Sequence, residues 1–201
     1  MEPLTARSAP PDASATSLTT ERLRLRPLAP DDIDAVYAAC QDPDIQRWTT
    51  VPSPYGRQHA EEFAGRTAPE LWRAGSNFVF GIRPRDGGPL LGSVNAHGGS
   101  GLWEVGYWTV REHRGRGFTT EALRALTLWV FTELGAERVE WRAEVGNEAS
   151  RAVALKAGFV MEGTLRAALL MRGTTRDAWI GALLPSDVGL PSPHPYLPGH
   201  P

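Results

Sequence analysis

Residues 111–121, Arg-Glu-His-Arg-Gly-Arg-Gly-Phe-Thr-Thr-Glu, constrain the fold of this chain more than any other stretch. A β-type run, Leu102-Trp-Glu-Val-Gly-Tyr-Trp-Thr-Val110, leads into them, and a helical pattern from Ala122 to Leu134 follows. A strand that enters a glycine-rich turn and leaves as a helix presents free backbone amides at the positive end of the helix dipole. Such an end is a ready anion site. Gly115 and Gly117 allow a tight turn and a close approach of backbone to ligand. Arg111, Arg114 and Arg116 add cations suited to phosphate. The competing structural reading is a tight turn with solvated arginines.

Elimination narrows the ligand. A P-loop needs a Gly-Lys-Ser/Thr ending, but the chain's one lysine, Lys156, lies elsewhere. A dinucleotide loop needs a third glycine where Thr120 stands, and Glu140 is a poor match for its ribose-binding acid. The run Arg114-Gly-Arg-Gly-Phe-Thr119 instead resembles the pyrophosphate loop of the Gcn5-related N-acetyltransferases, Gln/Arg-x-x-Gly-x-Gly/Ala. Thr119 stands where that family usually has Gly or Ala. A second stretch, Asn147-Glu-Ala-Ser150 followed by Lys156-Ala-Gly158-Phe159, Glu162-Gly163 and Leu165-Arg166, is similar to the signature of the family's Rim-type branch. That branch includes acetyltransferases of ribosomal-protein N-termini. Thr20 to Leu28, Arg172-Gly and Arg176-Asp177 fit it too, so the resemblance covers roughly residues 20–188. It implies an α/β fold, a splayed, mixed but mostly antiparallel sheet of about seven strands with about four helices.

Composition agrees with one domain. A chain of 201 residues with 41% hydrophobic residues can bury one good-sized core. A formal charge of −2 gives no overall attraction to nucleic acid or anionic membrane. The single cysteine, Cys40, excludes an intramolecular disulfide and reads as a small buried hydrophobe. No run approaches the ~18 apolar residues of a membrane span. The N-terminus lacks the apolar core of a signal peptide, so a cytoplasmic protein, monomer or homodimer, is the simplest reading. Residues 1–18 and 189–201, rich in Pro and small polar residues, are expected to be tails around a domain at 19–188.

Within the domain, Arg22 to Arg26 alternates as a strand and Pro30 to about Cys40 opens as a helix. A helical region follows at roughly Arg57 to Ala74, then strands at Asn77–Arg83 and Leu90–His97 joined by Asp86-Gly-Gly. After the strand 102–110 and the helix at about 120–134 come a strand, Arg138–Glu144, a helix, Glu148–Ala157, and a hairpin at about 160–184.

Transfer of an acetyl group to an amine needs a base, because an ammonium has no lone pair. It also needs a proton for the leaving thiolate. Glu104 is the first choice as base, since it lies on the strand feeding the loop and shares a face with Gly106 and Trp108. Glu140, Glu144 and His97 are alternatives. The resemblance implies acetyl-CoA as cosubstrate, with no metal. It gives Ser150 the role of donor to the leaving sulfur, since the tyrosine many relatives carry is replaced here by Leu155. It further implies that Asn147, which also caps a helix, contacts the pantetheine arm, and that the main chain of Trp108, Thr109 and Val110 pairs with its amides. The loop Arg111, Arg114 to Phe118, Thr119 and Thr120 completes the expected cofactor site. The acceptor is a peptide N-terminus or a small-molecule amine. Trp48, Trp72 and Trp103 lie near segments that line the acceptor cleft in relatives, and Asp31, Asp32 and Asp34 offer an acidic cluster for a cationic acceptor. The alternative function is a non-catalytic acyl-CoA-binding sensor or interaction module.

Overall fold

The structure is a computed structural model that describes residues 9–199. Its backbone is one eight-stranded sheet in the order β1-β2-β3-β4-β5-β6-β8-β7. The strands are β1 (Leu18–Thr19), β2 (Leu23–Pro27), β3 (Asn77–Pro84), β4 (Gly92–Gly99), β5 (Leu102–Thr109), β6 (Arg138–Glu144), β7 (Val160–Met171) and β8 (Thr174–Leu183). Every pairing is antiparallel except β5 with β6. The helices are α1 (Ile33–Ala39), α2 (Pro43–Trp48), α3 (Arg57–Glu62), α4 (Ala68–Arg73), α5 (Phe118–Leu134) and α6 (Glu148–Ala157).

Two of these elements depart from expectation. The helical region from Arg57 is not continuous: a π turn, Phe63–Thr67, joins α3 to α4. Pro69 has no N–H to give to Gly65, and the wider turn spans that gap. Helix α2 lies in a stretch for which no helix is expected. Asp42 caps it by accepting from Asp44 N, with Pro43 in the first turn. With α3 and α4 counted as one interrupted helix, the described residues form five helices and eight strands against the expected four and seven.

Apolar side chains from alternate positions build a core on each face of the sheet. On one face Leu23, Leu25, Phe78, Phe80 and Val105 pack under α5 through Leu123, Leu126 and Val130. Trp72 of α4 reaches the same core, edge-on to Phe78 and Phe80 with centroids 5.0 Å away. Full burial of each such side chain stabilises the fold by roughly 1.5–3 kcal/mol. On the other face α1, α2 and α3 cover Val79 and Leu90 through Val36, Ile45 and Ala60. Cys40 belongs to this second core and is 1% exposed.

The tails expected at 1–18 and 189–201 fall partly outside the described residues, at 1–8 and 200–201. Within the described part, the Trp72 indole donates to the Pro11 carbonyl at 2.7 Å. No helix among the described residues is long and apolar enough to cross a membrane.

Candidate functional site

The parallel pair makes the site. β5 and β6 stay in register for four positions, Leu102↔Arg138 to Val105↔Trp141, and then part. Each strand is held straight by its other neighbour: β4 pairs with β5 as far as Thr109, and β8 with β6 as far as Glu144. The backbone edge of Gly106–Thr109 that faces β6 therefore has no strand partner, although a strand's polar groups need one. A cleft of about 1040 Å³ runs through the opening.

Helix α6 stands behind the opening. Asn147 caps it, its side-chain oxygen accepting from Ser150 N at 3.2 Å. The Ser150 hydroxyl is held on two sides, accepting from the Trp141 indole at 3.1 Å and donating to the Tyr107 hydroxyl at 3.1 Å. Tyr107 in turn donates to the Ser150 carbonyl at 2.8 Å. Burial pushes the Tyr107 phenol well above its ordinary value, so Tyr107 stays protonated and acts as a fixed partner of Ser150. Sequence reasoning misses Tyr107, whose alternation with Val105 and Trp103 reads as core packing. Leu155, at the position of the absent tyrosine, is 47% exposed.

At the end of β5 the chain makes a 3-10 turn, Arg111–His113, and enters α5 through two left-handed glycines, Gly115 at φ 74° and Gly117 at φ 77°. No side chain caps α5, so the amides of Phe118, Thr119 and Thr120 lack acceptors. Open space lies where a Gly115 Cβ would stand. The loop is clamped by the residue that precedes β2: Arg22 donates to the Arg116 carbonyl at 3.1 Å and pairs with Glu121 at 2.6 Å.

The expected cradle of three arginine side chains does not assemble. Arg114 lines the cleft, but its guanidinium is divided between Asp42 at 2.7 Å and Asp44 at 2.9 Å on α2. The side chains of Arg111 and Arg116 point to solvent, and Val110 packs into the second core. The hydroxyl of Thr119 bonds that of Thr109, so it is turned toward β5 instead of out toward an anion. Trp108, Thr109, Gly115, Gly117, Phe118, Thr119 and Thr120 line the cleft, as do Asn147 and Ser150.

The carboxylates separate by their partners. Burial raises Glu140, but hydrogen bonds from Arg138 (2.9 Å) and Arg142 (2.7 Å) outweigh it and hold the carboxyl below the usual range. Arg47 grips Glu144 with both nitrogens, at 2.8 and 2.7 Å, and likewise holds it low. Both are committed to structural ion pairs. Glu104 lines the cleft, is 30% exposed, and has one arginine, Arg142, at 3.6 Å, beyond hydrogen-bond reach. His97 sits across the β4–β5 ladder from Glu104 and also lines the cleft.

Several residues expected at the acceptor end lie away from the cleft. Trp72 and Trp103 are buried in the first core, leaving Trp48 of the three tryptophans at the cleft wall. Asp32 is fully buried beneath Arg26 and Arg83, and Asp34 is paired with Arg57. The acidic acceptor cluster is therefore not formed. Burial pushes the Cys40 thiol up to about 11, so it is no thiolate nucleophile at neutral pH.

Parted strands beside an uncapped, glycine-led helix are what the resemblance to the acetyltransferase family leads one to expect, and comparison with known proteins shows that class, an acetyl-CoA-dependent acyltransferase. The family model described as an acetyltransferase (GNAT) domain matches residues 22–160. YoaA of Bacillus subtilis, an uncharacterized N-acetyltransferase, is 29% identical over 168 residues, covering 80% of this chain and 92% of that protein. The ribosomal-protein-serine acetyltransferase of Escherichia coli is 37% identical over 74 residues, 37% of this chain and 41% of that one. A Vibrio cholerae structure provisionally assigned to the same class superposes with a TM-score of 0.76 at 26% identity, covering 85% and 98% of the two chains. RimL, a ribosomal L7/L12 α-N-protein acetyltransferase solved with coenzyme A, has the same fold, with a TM-score of 0.75 at 19% identity over 84% and 98%. The chain belongs to the GNAT acetyltransferase family.

Proposed function

We propose that the protein transfers the acetyl group of acetyl-CoA directly to a primary amine, a peptide N-terminus or a small-molecule amine, with both substrates bound together. The carrying observation is that one cleft is lined by a loosely paired carboxylate, Glu104, and a braced hydroxyl, Ser150. The cleft suits acetyl-CoA: the unpaired edge of β5 can take an extended amide chain as an added strand, and the free amides of α5 can take a pyrophosphate.

Bound acetyl-CoA supplies an activated thioester, whose acyl carbon gains the C–N bond as its C–S bond breaks. Glu104 takes one proton from the ammonium and so frees its lone pair. As the C–S bond breaks, Ser150 turns its hydroxyl from Tyr107, gives its proton to the leaving sulfur and takes the amine's second proton in exchange, while the Trp141 indole holds the oxygen in place. Trp48 and the hairpin residues Leu169 and Met171 line the same cleft.

Ser150→Ala tests this assignment. It should lower kcat for acceptor-dependent CoA release about 10- to 100-fold while acetyl-CoA still binds in calorimetry. An unchanged kcat would remove Ser150 from the chemistry and favour a module that binds acyl-CoA without transferring it.

A further inference from the structure

A second concavity, of about 350 Å³, lies at the β2–β3 side of the sheet and shares no residue with the cleft. Four arginines line it: Arg24 and Arg26 of β2, Arg83 of β3 and Arg85 just beyond that strand. Alternation explains the grouping, because Leu23 and Leu25 face the first core and so turn Arg24 and Arg26 to the opposite face. Register then sets Arg24 directly across from Arg83, and like charges so placed are destabilising unless a counter-charge is near. The fully buried Asp32 supplies part of it, accepting from Arg26 at 3.0 Å and from Arg83. Arg83 is further fixed by donating to the Gly88 carbonyl at 3.0 Å. Arg24 and Arg85 are not held in this way. Arg24 engages only its Nε, on the Ser17 hydroxyl at 3.2 Å, and the Arg85 guanidinium has no partner among the described residues. Asp86 also lines the pocket and pairs with none of the four.

We propose that this pocket binds a phosphate dianion, either the free ion or the head of a small phosphomonoester. Four guanidinium groups stand against two carboxylates, Asp32 and Asp86, which leaves two positive charges to be matched. A phosphomonoester supplies two negative charges on one compact group above its second pKa of about 6. Planar guanidinium forks present paired N–H donors that fit phosphate oxygens. Asp32 holds Arg26 and Arg83 in place before any ligand arrives, and Arg24 and Arg85 have donors to add. No aromatic side chain is among the lining residues, so the pocket lacks the stacking platform that a single-stranded nucleic acid would use. The site stands whether or not the cleft transfers an acetyl group.

Calorimetry with inorganic phosphate and with glycerol 3-phosphate tests the site on the full chain. The cleft is first saturated with 3′-dephospho-CoA, which brings a pyrophosphate to α5 but carries no phosphomonoester of its own. The wild type should bind at least one of the two probes, and the double variant Arg24→Gln, Arg85→Gln should bind it about 10- to 100-fold more weakly, the effect of losing hydrogen bonds from charged donors. Its affinity for dephospho-CoA should be unchanged, because neither arginine lines the cleft. Arg85→Gln alone, at an exposed position, should weaken the probe about tenfold and serves if the double variant does not fold. Equal affinity for both probes assigns the pocket to the free ion, and tighter binding of glycerol 3-phosphate assigns it to a monoester. No binding by the wild type, or equal binding by wild type and variants, overturns the proposal. So does tighter binding of succinate or of duplex RNA than of either probe, which would make the pocket a receptor for carboxylates or for a nucleic-acid backbone.

Discussion

Glu104 and Glu140 face each other across the β5–β6 ladder, yet their surroundings give them opposite uses. Two arginines hold Glu140 ionised at neutral pH and occupy both of its oxygens. Glu104 keeps its oxygens available and opens on the cleft. Replacing Glu104 by Gln should cost about 10²- to 10⁴-fold in turnover, with the largest loss at low pH, where the ammonium is hardest to deprotonate. A pH–rate profile of unchanged shape would exclude Glu104 as the base. The sequence alone could place these glutamates on strands but could not separate them, because Arg138 and Arg142 matter only once strand register is known. Tyr107 is hidden for a similar reason. Its hydroxyl meets Ser150 43 residues away, a contact that alternation along one strand does not reveal.

Among the elements, those with local punctuation were legible. β6 and α6 fall at the expected bounds, because Asn147 opens the helix and Gly158, at φ 108°, ends it. Helix α2 carries an equally good start signal, Asp42-Pro43, but the segment is too short to show a helical period. The glycine turn into α5 was legible in the sequence, but the fate of its arginines was not. Arg114 is claimed by carboxylates 70 and 72 residues away in sequence. Under the proposed function, the backbone of the loop and the N-terminus of α5 are the main anion receptor. Gly117→Asp combines a strained left-handed position with a carboxylate at that receptor. It should abolish detectable acetyl-CoA binding in calorimetry, and wild-type affinity would refute the loop assignment.

At the scale of the molecule, ion pairs knit the far half of the sheet. Glu140, Glu144 and Glu162 are all held below the ordinary carboxyl value of 4.5: Glu140 by Arg138 and Arg142 against its burial, Glu144 by Arg47, and Glu162 by Arg138. A depressed folded pKa contributes stability that is present above the unfolded value and lost as pH falls through the folded one. Tm should therefore be nearly level from neutral pH to about 5, then fall below about 4.5, and Glu140→Gln should flatten that fall. A Tm that stays level to pH 3 would contradict these pairings. All of these elements converge on one claim, that the β5–β6 cleft transfers an acyl group to an amine. Acceptor-dependent release of CoA from acetyl-CoA tests it most directly, with N-terminal peptides set beside amino acids, polyamines and aminoglycosides. The account predicts release with one acceptor class, peptide N-termini or small-molecule amines. Intact acetyl-CoA binding with no release to any acceptor would contradict it.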